Sequence, residues 1–498
     1  MRTIAASEDV RVEALRGGRA MLVGLISVAA AAGIMLLAVG LGDLVASGAV
    51  LGILFVATVL INPIVGIVTL LGTLLVGLPG FLVGAAAGRL TANNLIGMLL
   101  LLALIAQLSV RRDLWFLRTP QVIVLFLIGA AFMASLVHSW YTYIPAQPLP
   151  KNVTENTLFL FFSRLGFLII FVNFIRTQRH ALVILLSVLA FTMLVIPSAF
   201  YNLATWSGER DVMTGKVAEF RIVADVSSWG RNENRLAFVC NITMLLIWAF
   251  AQIQRRKVIW AVVIPMMMAL ATLVVSTGSR SGFVSLGLVA LFLLFQRGLG
   301  WSLRVGAAVA VAAALVFFFA FLPEKTFERL TNYSLDQSER QEAWRSTTSR
   351  IETNEHALEM LWTAPLLGVG PGNFMWLHRE RYPYSIAAGR PNHNSYLWAA
   401  TEGGSVVIAL YLVLFFFIWR DLLKAQERYS PGHPLWHVTR FLKGYLMIFL
   451  FFSGFADFWL EPHLYLLAGL SILVKRLAPE EGGPPPVSTT AITHQATR

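Results

Sequence analysis

A dozen or more stretches of this chain approach or exceed the length of a bilayer-crossing helix, and short arginine-rich loops separate many of them. About 20 apolar residues at ~1.5 Å rise each cover a hydrocarbon core of ~30 Å. No water is available there to satisfy backbone groups, so such segments fold as helices bonded within themselves. Apolar residues make up 57% of the 498 and charged residues 13%, whereas soluble domains hold roughly a quarter charged residues. The fold class expected is therefore all-α, a polytopic integral membrane helical bundle. Spans are expected near 20–41, 44–61, 63–87, 93–110, 120–139, 157–175, 181–201, 233–252, 257–276, 281–296, 302–322, 396–419, 438–456 and 461–475. The Asn62-Pro63 junction and the Gly/Pro-broken run after it put the number between twelve and fourteen.

The basic loops Arg111–Arg118, Arg176–Arg179, Arg255–Lys257, Arg297–Arg304, Arg420–Arg428 and Lys475-Arg476 all fall on one side of this arrangement. The positive-inside tendency makes that side cytoplasmic, together with the N-terminal segment 1–19 and the Pro/Ser/Thr-rich tail 477–498, which reads as disordered. Transmembrane helices then fill 20–322 and 396–476, and the long outward segments are 202–232 and 323–395. Loops longer than ~12–15 residues usually carry function or are disordered. The second is rich in Trp and Tyr, which argues for order, with short helices inside it. Ile351, Leu358, Leu361 and Trp362 have the spacing of one face of a surface helix. No cleaved signal is expected in Met-Arg-Thr-Ile-Ala-Ala-Ser. The lone Cys240 permits neither an internal disulfide nor a cysteine metal site. The formal charge of +12 suits loops beside anionic lipid better than nucleic acid, and no nucleic-acid partner is expected.

Chemistry-bearing residues gather on the outward segments. His393 precedes the span that begins near Tyr396; it either exchanges a proton with a substrate hydroxyl or hydrogen-bonds headgroups. Arg280, in Ser279-Arg-Ser-Gly282, either snorkels or offers a planar fork to a phosphate. Arg221, Arg231 and Arg235 approach one helix from outside, against the positive-inside tendency, and call for acidic side chains or an anionic ligand. Arg164 lies within a span, buried against a carboxylate or facing a ligand. His356 and Glu352 share a helical spacing, but no metal-binding carboxylate cluster accompanies them. No Walker loop, Gly-x-Ser-x-Gly elbow or dinucleotide fingerprint is present. Pro365-Leu-Leu-Gly-Val-Gly-Pro-Gly-Asn373 lacks the Lys-Ser/Thr of a nucleotide loop and reads as a tight turn. Arginines and a histidine at an outer membrane surface fit transfer of a glycan from a lipid diphosphate, whose donor bond is already activated. A lipid-linked glycan transporter is the non-enzymatic alternative, disfavoured because the charges cluster at one face.

Three elements extend this reading: Pro365–Phe374 with His393-Asn-Ser-Tyr-Leu397 and Glu402-Gly-Gly404, Ser279-Arg-Ser-Gly282, and Asn232-Glu-Asn-Arg-Leu-Ala237. Their sequence and order resemble the signature of the O-antigen ligase and O-antigen polymerase superfamily over roughly residues 155–475. The resemblance implies a glycosyltransferase of a bacterial inner membrane, working at the periplasmic face without metal or other cofactor. Its donor would be an undecaprenyl-diphosphate-linked glycan, and its acceptor lipid A-core (ligase) or another lipid-linked glycan (polymerase). It carries catalytic roles onto His393, Arg280 and Arg221. Arg231, Asn234, Arg350, Asn394 and Glu402 are expected as substrate contacts.

Overall fold

A computed structural model describes residues 54–76, 92–111, 114–143, 151–205, 232–254, 256–295 and 337–478. The expected spans 20–41 and 302–322, most of 44–61, the end of 63–87, both termini, and Arg221 and Arg231 lie outside the described residues.

The protein is an all-α polytopic membrane bundle. Its helices are α1 (Leu54–Ile61), α2 (Pro63–Val76), α3 (Ala92–Arg111), α4 (Pro120–Tyr143), α5 (Lys151–Phe174), α6 (Gln178–Thr205) and α7 (Glu233–Gln254). After them come α8 (Lys257–Ser276), α9 (Arg280–Leu294), α10 (Gln337–Thr363), α11 (Phe374–Arg381), α12 (Ser395–Arg428), α13 (Pro434–Ser453) and α14 (Pro462–Arg476). Among the described residues seven helices are long and apolar enough to cross a membrane, or eight if the bent pair α1–α2 is one span. That pair turns by 115° at Asn62. Pro63 has no amide for a continuing helix, and Asn62 receives the next turn through its carbonyl and Oδ1.

Most of α7 is buried, packed on α8, α9 and α13. A helix apolar all round is what a buried position requires. Lipid removes the usual hydrophobic drive for helix pairing, leaving close packing and polar contacts to hold the bundle. α12 packs on α4, α13 and α14. At one end of this group the buried Asp421 takes Gln121 Nε2 at 2.8 Å and Lys475 Nζ at 2.9 Å, with Arg420 beside it. Arg476 stacks over Trp115 at that same end. Three of the basic segments expected to share a side, Arg111–Arg118, Arg420–Arg428 and Lys475-Arg476, therefore meet in space.

The described part of the segment 323–395 differs in detail from its sequence reading. α10 is 27 residues long, more than the apolar spacing around Ile351–Trp362 announces, because its first half is polar and carries no periodic signal. α11, eight residues long, is one of the short helices expected in this segment, at a position that no sequence pattern marked. Together they enclose a small core of Ala357, Met360, Ala364, Val369, Phe374 and Leu377.

Candidate functional site

The glycine-rich segment and the Glu402-Gly-Gly404 element are two halves of one interlock. In a continuous helix, the carbonyls of Thr401 and Glu402 would accept from the amides of Ser405 and Val406. Gly404 interrupts α12 with φ 72°, ψ −174°, a region essentially reserved for glycine. The freed groups pair with the loop instead. Val369 N donates to Thr401 O at 2.8 Å and Gly370 N to Glu402 O at 3.0 Å. Ser405 N donates to Pro365 O at 2.8 Å and Val406 N to Leu366 O at 3.4 Å. The four backbone groups freed by the break thus find partners, as burial demands. A side chain at Gly368, also at positive φ, would strike the Thr401 carbonyl. Helix α4 braces the joint: Ser135 donates to Glu402 O at 2.7 Å, and Asn373 Nδ2 reaches Ser139 at 3.3 Å.

Glu402 itself is fully buried beneath the loop. Its carboxyl faces the amides of Gly372 and Phe374 and the Trp398 indole, though neither oxygen closes a hydrogen bond of good geometry. Named from sequence as a substrate contact, it occupies an interior position. Asn394 is likewise committed: its side chain caps α12, accepting from Tyr396 N and Leu397 N at 3.1 Å.

His393 sits just ahead of that cap with φ 52°, an uncommon conformation for a non-glycine residue and one that clusters at functional sites. Its Nδ1 lies 3.5 Å from Asp457 Oδ2, with the imidazole 39% exposed. Asp457 belongs to the loop between α13 and α14. Ser395, next to the cap, donates to Ala456 O and accepts from Phe458 N, which fixes that loop against the start of α12.

The Asn232–Ala237 and Ser279–Gly282 elements form a second unit at the same end. Ser279 caps α9, accepting from Gly282 N at 3.0 Å, and its hydroxyl donates to Asn234 Oδ1 at 2.6 Å. Gly282 lets α9 approach α7 closely, for a Cβ there would lie 2.6 Å from Ala237 Cβ. Deeper in the seam, Asn241 Nδ2 bonds Ser285 Oγ at 2.5 Å. Arg280 is the first residue of α9 and is exposed. Arg235, beside Asn234, pairs with Glu461, at the far end of the Asp457 loop. The sequence calls for acidic side chains or an anionic ligand beside these arginines; for Arg235 the structure supplies Glu461. Burial pushes the Glu461 carboxyl above the ordinary range, against the opposing pull of Arg235 and Arg164. Arg164 thus lies within electrostatic reach of the same carboxylate.

The loop Gly454–Glu461 is therefore the hub, with Asp457 toward His393 and Glu461 toward Arg235 and Arg164. Asp457 and Glu461 were missed from sequence; the available signal was two carboxylates in a short loop between apolar runs, in a chain with surplus arginines. Arg350 lies exposed on α10. Among the described residues no three His, Cys, Asp or Glu side chains converge as a metal site. The arrangement can move a proton at His393 and present guanidinium groups to an anion.

Residues 265–412 match the O-antigen ligase family model. The matched stretch runs from α8 into α12 and includes Ser279–Gly282, the glycine loop, His393 and the Gly404 break. It covers 148 of 498 residues and supports the resemblance to the O-antigen ligase and polymerase superfamily read from the motifs. An O-antigen ligase-type match points to a glycosyltransferase-like enzyme acting on lipid-linked glycan in a membrane. No curated protein matches the chain.

Proposed function

We propose that this protein transfers a glycan from undecaprenyl diphosphate to an acceptor sugar hydroxyl, as an O-antigen ligase-like enzyme at the periplasmic face of a bacterial inner membrane. Both termini would then be cytoplasmic. The observation that carries the reading is the joining, through one loop, of a histidine–carboxylate pair and an arginine cluster at one end of the bundle. Arg280 and Arg235, with Arg221 or Arg231 from the adjoining segment, would hold the diphosphate and stabilise its growing charge. Asp457 would orient His393, which takes the proton of the incoming hydroxyl. The acceptor oxygen then bonds the anomeric carbon, the carbon–oxygen bond to phosphate breaks, and undecaprenyl diphosphate leaves. No nucleotide is needed because the donor bond is already activated, and the resemblance implies no metal. Asn394 and Glu402 act by position, through the cap and the loop interlock.

Purified protein supplied with lipid-linked glycan and lipid A-core tests this. His393→Ala should lower turnover roughly 10²–10⁴-fold, the usual worth of a positioned acid–base group. Arg280→Ala should lower it roughly 10²–10³-fold, and Asp457→Asn should lower it less than loss of His393. Unchanged product formation by the first two variants would remove the site assignment. In cells lacking the protein, accumulation of free lipid-linked polymer identifies a ligase. Single repeat units on the acceptor identify a polymerase instead.

A further inference from the structure

We infer that the C-terminal end of α10 and the turn after it dip into the outer leaflet and anchor the 337–395 region to the bilayer. α10 buries Ala357 and Met360 against the protein, and Ala364 is buried just past its end. Its opposite side leaves Leu358 46% and Trp362 80% exposed, and the following turn leaves Leu366 67% exposed. Single exposed apolar residues are ordinary; a contiguous group marks an interaction surface. This group is continuous with a lipid-facing one. The bond from Val406 N to Leu366 O places Leu366 beside Val406. Val406 heads an exposed apolar face of α12 that includes Leu412 and Phe416, the face a spanning helix turns to hydrocarbon. Lipid that covers Phe416 and Val406 meets Leu366 and Trp362 next. Tryptophan is favoured at that depth, where its ring is apolar and its N–H reaches the headgroups. The first half of α10 is polar, so the helix rises away from the surface.

The interlock at Gly404 makes the anchor more than a tether, because it joins this turn rigidly to the helix whose N-terminus presents His393. Resting on the functional reading above, the anchor would hold His393 at the level of a lipid diphosphate.

Cys240 is the sole cysteine and is completely buried, so an introduced cysteine can be labelled selectively. Environment-sensitive labels at Leu358→Cys, Trp362→Cys and Arg350→Cys would be compared in phospholipid nanodiscs. Arg350 lies about 18 Å up the helix axis from Trp362 at ~1.5 Å per residue. Nitroxides on lipid chains should quench the labels at 358 and 362 severalfold more than the label at 350, and a water-soluble nitroxide should give the reverse order. Equal exposure of all three labels to water would overturn the inference. So would labels at 358 and 362 shielded from both quenchers, which would mean a protein partner or a second copy. Trp362→Glu supplies an independent measure: proteolysis between 358 and 373 should rise in nanodiscs. Neither readout needs glycan transfer, so failure of the anchor and failure of the proposed activity are separable.

Discussion

Replacing Gly404 with alanine tests the interlock most directly. A Cβ at this position would lie 2.0 Å from the Leu366 carbonyl oxygen and 2.2 Å from its carbon. Ordinary contact begins near 3.4 Å, so the loop must retreat by more than an ångström, and the obstacle is backbone with no rotamer to change. That retreat removes the bonds from Ser405 N and Val406 N, at about 1 kcal/mol each net and more where a buried group is left unpaired. Alanine in this backbone region adds about 1–3 kcal/mol. Together the cost is about 3–6 kcal/mol, which raises the open population of the loop roughly 10²–10⁴-fold. Hydrogen exchange in nanodiscs reads this at the amides of Val369 and Gly370, both bonded across the break. Gly287→Ala is the control: nothing lies within 4 Å of its Cβ position, and mid-helix alanine should be neutral or stabilise by up to ~1 kcal/mol. Unchanged protection of Val369 and Gly370 in Gly404→Ala would refute the reasoning.

Acid should loosen the α10–α11 segment. His378 is fully enclosed against His356, their ring nitrogens 3.0 Å apart. Burial, helped by His356, lowers its pKa from 6.5 to about 4. The neutral ring is favoured in the fold, so its contribution is complete above pH 6.5 and declines as pH falls toward 4. Thermal unfolding of α10–α11 followed from pH 7 to 4.5 should show that decline, and His378→Gln should flatten it; parallel profiles would discard the assignment. At the other unit, Gly282→Ala should cost about 1–3 kcal/mol by overpacking Ala237 and weaken glycan transfer. Adding Ala237→Gly should restore part of both, whereas no recovery in either would show that this approach does not hold the seam.

Helix positions were legible because apolar length is a property of contiguous residues. The expected run 257–276 coincides with α8, and 120–139 lies within α4. Boundaries failed where polar residues continue a helix without a periodic signal. α12 extends to Arg428 and α10 begins at Gln337, and both extensions are sequences in which helical and loop residues look alike. The 115° turn between α1 and α2 could be suspected from Asn62-Pro63, but its angle depends on packing.

The site was legible in part for a related reason. Ser279-Arg280 and Asn232–Ala237 could each be singled out as polar interruptions of apolar sequence, yet their union depends on a 2.6 Å bond between Ser279 and Asn234 across 45 residues of chain. The glycine loop was readable as a turn. What it turns against was not, because the interlock is made of backbone amides and carbonyls that every residue carries. Glu402 illustrates the consequence. A carboxylate near a helix start invites a ligand-contact role, but once the adjacent break is filled by the loop, the same residue is sealed beneath it. Asp457 shows the converse: an unremarkable acid in a short loop acquires its role from the left-handed turn at His393, which brings the imidazole to 3.5 Å. Residue type can nominate a donor, an acceptor or a charge. Whether it meets substrate or holds the frame is decided by backbone groups closing around it, and that is why His393 and Glu402, nine residues apart, end on opposite sides of the same joint.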